Sequence, residues 1–107
     1  MKAERILALR CALLIAYSEA QRLKDIEDEG TCNFDTPTLM LTPEWKESDV
    51  EEAFKLTGMR PYKVDKSYYH ILGATEGQGF RRTAMAEAFR DCMVQLGYSS
   101  HMHYQMD

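Results

Sequence analysis

RPYKVDKSYYHIL, running from Arg60 to Leu72, is the stretch on which the fold turns. Arg60 to Val64 and Ser67 to Leu72 are rich in Tyr, Val and Ile, with the polar pair Asp65-Lys66 between them, so the segment reads as a β-hairpin. Upstream, Thr38 to Leu41 reads as a short strand, and Pro43 opens a helical region. There SDVE (Ser48 to Glu51) has the capping-box pattern, serine at the N-cap and glutamate three residues on. This helix is expected to bury Val50, Ala53, Phe54 and Leu56 and to stop at Gly58. Downstream, Phe80, Ala84, Met85, Ala88, Phe89, Cys92, Met93 and Leu96 share one helical face that ends at Gly97. Tyr98 to Met106 then alternates. Tyr98, Met102, Tyr104 and Met106 lie on one side and Ser99, His101, His103 and Gln105 on the other, which is a closing strand. Residues 38–106 thus run β-α-β-β-α-β, and the expected class is α+β: a ferredoxin-like sandwich with a four-stranded antiparallel-type sheet.

In front of this core, Ala3 to Glu29 contains neither Gly nor Pro and reads as one long helix closed by Gly30, so residues 1–30 form an added N-terminal helix. One stripe holds Ile6, Leu9, Leu13, Ala16, Ala20 and Leu23. A second stripe, Leu7, Cys11, Leu14 and Ile15, exists only in the first half. A helix apolar on both sides is buried on both sides. At 1.5 Å per residue it would be ~40 Å long, against a radius of gyration of ~13 Å for a globule of this size. The helix is therefore expected to lid the open face of the sheet. Leu7, Cys11, Leu14 and Ile15 are expected to form a self-association surface, giving a homodimer or holding a protein partner. Arg10 interrupts the apolar run and Glu19, Gln21, Arg22 and Lys24 follow it, so neither an export signal nor a membrane span is expected.

A chain of 107 residues accommodates a single domain, 1–107, and its 45% hydrophobic content suits a packed core. Cys11, Cys32 and Cys92 are scattered and odd in number, which reads as reduced thiols in a cytoplasmic protein. The net charge of -4 is unevenly spread: residues 1–57 hold seven Lys/Arg against twelve Asp/Glu, and residues 58–107 hold six against five. Broad, non-specific DNA binding wants a basic face and is disfavoured.

GQGFRR, from Gly77 to Arg82, is the strongest candidate site. Glycines before a helix let backbone N–H groups point at an anion, and the helix N-terminus favours negative charge. Gly77, Gln78, Gly79, Arg81 and Arg82 are therefore an expected anion or partner-binding loop. No Walker or dinucleotide fingerprint accompanies it. The alternative is a flexible turn whose arginines pair with Glu76, Asp65 or Glu87. His101 and His103 share a strand face but lack a third metal ligand, since His70 is expected two strands away, so no metal is assigned. Cys32 lacks any cysteine-enzyme signature, and Asn33 and Asp35 are expected to shape the turn before Pro37. Tyr62, Tyr68, Tyr69, Tyr98 and Tyr104 make the sheet aromatic, but YYHILG lacks the basic-glycine-aromatic pattern of an RNA-recognition module, and the expected helical lid would cover the rings. No catalytic residue and no cofactor are assigned, and the chain reads as a non-enzyme.

TCNFDTP (Thr31 to Pro37), GQGFRRTAMAEAF (Gly77 to Phe89) and the ending YQMD together resemble small accessory proteins carried by phages and conjugative elements of gut bacteria. The resemblance spans most of the chain from Ile26 to Asp107. It implies a non-enzymatic binding protein, of the kind that includes anti-CRISPR and anti-restriction inhibitors, with a host defence nuclease as partner. It transfers no residue roles, and -4 is a modest charge for a DNA mimic. The alternative function is a nucleic-acid-associated accessory protein that contacts phosphate through Gly77–Arg82.

Overall fold

Helix α1 spans Lys2–Gln21 and buries Leu9, Ala12, Leu13, Ala16 and Ala20 along one stripe. It is followed by β1 (Thr36–Met40), α2 (Glu47–Phe54), β2 (Arg60–Asp65), β3 (Tyr68–Leu72), α3 (Phe80–Gln95) and β4 (Met102–His103). The computed structural model describes residues 1–106, so Asp107, the last position of the YQMD string, lies outside the described residues. The class is α+β, with a four-stranded sheet in the order β2-β3-β1-β4 whose neighbouring strands are all antiparallel.

The first helix stops eight residues short of the expected Glu29. Arg22 to Ile26 form turns instead, which return the chain so that the Glu29 carbonyl accepts the Phe80 N–H at 2.7 Å. A continuous helix would carry Asp28 and Glu29 away from α3. The lid expectation is also corrected. Helix α1 packs chiefly on α3 and next on α2, in one helical layer, and leaves the far face of the sheet open. Ala12, Ala16 and Ala20 on its buried stripe allow the close helix approach. The core forms between this layer and the near face of the sheet, from Leu9, Leu13, Val50, Phe54, Met85, Phe89 and Met93 against Leu39, Tyr69 and Ile71.

The hairpin lies where the sequence places it, with its turn moved to Lys66-Ser67. Asp65 pairs with Tyr68, a bulge between Lys63 and Asp65 absorbs Val64, and Ser67 adopts φ 62°. In α2 the capping carboxylate is Asp49 rather than Glu51, accepting the Lys46 N–H at 3.2 Å. Asp49 also holds the Lys2 ammonium at 3.0 Å. Leu56, expected in the core, is 91% exposed at φ 67°, because the helix ends at Phe54 and the left-handed turn aims it outward. Phe80 and Leu96, at the two ends of the α3 stripe, are exposed as well. The closing strand shrinks to two residues, flanked by single bridges from Ser99 to Met40 and from Met106 to Asn33.

On the open face, register puts Tyr62 beside His70 and His70 beside Thr38, while Thr36 pairs with His103. His70 and His103 lie two strands apart, as the sequence indicates, yet both rings lean over β1 and their centroids are 4.6 Å apart. Tyr62 and Tyr68 flank His70 at 6.4 and 5.8 Å.

Candidate functional site

The turn before α3 is a cradle of backbone N–H groups, and the chain fills it itself. Gly77 takes φ 91°, which turns successive amides to one side. Into this concavity reaches the carboxylate of Asp28, accepting the N–H of Gln78 at 2.7 Å, of Gly79 at 2.8 Å and of Arg81 at 3.3 Å. Arg81 joins from the side, 3.7 Å from the same carboxylate, and donates to the Lys24 carbonyl at 3.2 Å. The helix therefore has a carboxylate cap supplied from fifty residues away. The Gln78 and Gly79 amides, opposed by partial burial and helped by Arg81, hold the Asp28 carboxyl below its ordinary value of 3.8.

A depressed folded value means that Asp28 stabilises the fold fully above pH 3.8 and loses that contribution as pH falls through the folded value. Asp49 behaves alike: burial raises it, but the hydrogen bonds from Lys2 and the Lys46 N–H outweigh burial and hold it low. We expect Asp28→Asn to melt several degrees below wild type at pH 7, and the gap to narrow as pH drops below 3.8. Melts of both proteins across that range check this. An unchanging gap would mean that the carboxylate charge contributes nothing.

Arg82 is tied on the other side of the loop. Its Nε donates to the Asp35 carbonyl at 2.9 Å and its Nη2 to Thr36 Oγ1 at 3.4 Å, with the guanidinium 5.9 Å from the Phe34 ring centre. The buried Asp35 carboxylate accepts the Thr83 hydroxyl at 2.7 Å and the Gln105 N–H at 2.8 Å. Asn33 donates to the Gly79 carbonyl and to Thr83 Oγ1, both at 3.1 Å, and accepts the Asp35 N–H at 3.0 Å. Asn33 and Asp35 thus shape the turn as expected, and also lash the segment before β1 to the start of α3. Beside them Cys32, Asn33, Phe34, Gly77, Gln78 and Arg82 line a cavity of about 410 Å³. The Cys32 thiol lies 3.4 Å from the Gln78 side-chain oxygen.

The five loop residues are therefore together in space, with Arg81 and Arg82 drawn into contacts with the chain's own Asp28, Lys24, Asp35 and Thr36. Glu76, Asp65 and Glu87, the partners considered from sequence, do not take them. Leu7, Cys11, Leu14 and Ile15 form an exposed stripe on α1, Leu7 at 55%, Leu14 at 42% and Ile15 at 49%. Next to it Ile15, Glu19, Ala88, Cys92 and Leu96 line a groove between α1 and α3. Among the described residues no three His, Cys, Asp or Glu converge as metal ligands, and no helix is long and apolar enough to cross a membrane.

Asp28 is the residue that sequence reasoning misses, because it sits inside the acidic run Asp25 to Glu29. A signal exists: a helix with glycine at its N-cap and two arginines in its first turn needs a carboxylate from elsewhere. No protein-family model, curated protein or solved structure matches this chain.

Proposed function

We propose that this protein is a non-enzymatic protein-binding module that works through the outer face of α1. The observation that carries the reading is the asymmetry of that helix: Leu9, Ala12, Leu13, Ala16 and Ala20 are buried along one stripe, while Leu7, Cys11, Leu14 and Ile15 form a second that is exposed. Leaving this much aliphatic surface in water costs about 25 cal/mol per Å², which association recovers. The first partner we assign is a second copy of the chain, giving a homodimer. The resemblance to mobile-element proteins adds a host defence nuclease of the CRISPR type as the heterologous partner. We also adopt the ferredoxin-like reading of the core, supported by the β-α-β-β-α-β chain order after α1 and by the placement of β1 between β3 and β4.

A partner role for Gly77–Arg82 has a definite requirement in this reading: an incoming acidic group must displace Asp28 from three amides and an arginine. Phosphate contact through this loop, the nucleic-acid alternative, ranks lower for that reason.

Leu14→Glu tests the module. Leu14 is a surface residue, so the fold should survive with little change in stability. Wild type should scatter light as a dimer and the variant as a monomer, and the variant should lose any inhibition of a guide-loaded CRISPR nuclease in a cleavage assay. A wild type that stays monomeric at high concentration and leaves the nuclease untouched would sink the reading.

A further inference from the structure

We infer that the open face of the sheet is a stacking platform for single-stranded nucleic acid. This goes beyond the protein-binding reading and uses the opposite side of the molecule from α1. Four rings stand together there: Tyr62, Tyr68, His70 and His103, with His70 at the centre, between 4.6 and 6.4 Å from each of the others. They sit on three strands of the sheet, and among the described residues the helices pack on its other face. Tyr62 is 58% exposed, and Tyr68, His70 and His103 are half-buried. Burial, then the neighbouring His103, pushes the His70 imidazole below its ordinary value of 6.5, so it is a flat neutral ring near pH 7.

Ring faces presented on strands accept unstacked bases with little regard to sequence, since every base has a π-face. Charge selects the same occupant. On this face the hairpin from Arg60 to Leu72 carries Arg60 and Lys66 against Asp65 alone, while Lys63, paired with the buried Tyr69, lies on the helical side 3.5 Å from Glu47. Strand β1 carries no charge, and the Ser99–Met106 edge brings His101 and His103 with no acid. The chain as a whole is at -4, so its acid is concentrated on the helices and the loops between them, away from this face. A backbone tracking the hairpin meets cations beside the rings, and duplex DNA, whose bases are already stacked, gains nothing from such a surface. A second copy of the chain fits less well, because two such faces would oppose cation to cation.

The test is fluorescence anisotropy with a labelled thymidylate dodecamer and a uridylate dodecamer, the two arms separating DNA from RNA. Both should bind saturably, with affinity falling gently with salt, as about one to three phosphate contacts require. Tyr62→Ala and Tyr68→Ala should each weaken binding about five- to hundredfold at unchanged melting temperature, the loss of one stacked base. Tyr62→Phe should bind like wild type, because it keeps the ring. Leu14→Glu should also bind like wild type, since it lies on the other face; thus failure here and failure of the α1 reading are separable. No saturable binding in either arm, binding untouched by the two tyrosine truncations, or equal binding of a duplex dodecamer would each overturn the inference.

Discussion

Phe89→Ala will cost the fold about 3–5 kcal/mol, the range found when a buried aromatic is truncated in a core that cannot collapse onto the gap. Phe89 is the largest of the side chains with no exposed surface. It lies midway along α3, the helix on which α1 packs most extensively and which also touches β1. The ring therefore sits where the helical layer and the sheet meet, and its loss unbinds both. The void would be walled by residues held from three elements, so none of them can move in without leaving another contact. A domain of this size typically has only about 5–15 kcal/mol in total. Urea titration followed by circular dichroism should show a much lower midpoint at unchanged slope. Phe89→Leu, which keeps most of the volume, should lose no more than about 1.5 kcal/mol. If both variants melted alike, the ring would not be filling the core.

The parts of the fold legible in the sequence are those fixed by short-range pattern. Arg60 to Leu72 reads as a hairpin because its apolar alternation and polar turn are local, and only the turn position, set by a bulge at Val64, escapes. The α3 stripe through Met85, Phe89 and Met93 is legible for the same reason, since one helical period decides it. The stripe fails at its ends, Phe80 and Leu96, where burial depends on what lies opposite. Residues 98–106 alternate like a strand, yet only Met102 and His103 are regular, because an edge segment takes its length from its single neighbour.

Most of the remaining departures share one physical cause, contacts between residues far apart in sequence. Helix α1 has the propensity to reach Glu29, and what stops it is a set of bonds to Gln78, Gly79 and Phe80 that no window around Asp28 contains. A doubly apolar helix looks buried on both sides, which suggests a lid on the sheet. Helix α1 instead uses one side on α3 and α2 and leaves Leu7, Leu14 and Ile15 about half exposed. The loop is legible as an anion cradle, and the two arginines against the helix dipole are legible as an anomaly. That the anion is Asp28, and that Asp35 and Thr36 anchor Arg82, needs the fold.

Gly79→Ala should be the second most damaging single change, and it reports on this latch directly. A Cβ built on Gly79 would lie 2.5 Å from the Glu29 carbonyl oxygen and 3.2 Å from Asp28 Oδ1. The nearer atom is backbone, so no side chain can swing aside. The segment from Asp28 to Glu29 must retreat from α3, and the 2.7 Å bond from the Phe80 N–H to the Glu29 carbonyl goes with it. Overpacking of this kind costs about 1–3 kcal/mol, and the rigid neighbour puts Gly79 at the upper end. The Asn33 and Asp35 bonds to the start of α3 should persist, because they approach from the β1 side, so the loss stays local. Hydrogen exchange would show it: the Gln78, Gly79 and Phe80 amides should lose protection while Leu39 and Ile71 keep theirs. Phe80→Ala, one residue on at an exposed position, should leave both stability and protection near wild type. The double variant Asp28→Asn with Gly79→Ala should cost clearly less than the two single changes together, because each breaks the same contact. Full additivity would mean that the carboxylate and the glycine act independently, and that no single latch joins the Asp28 segment to α3.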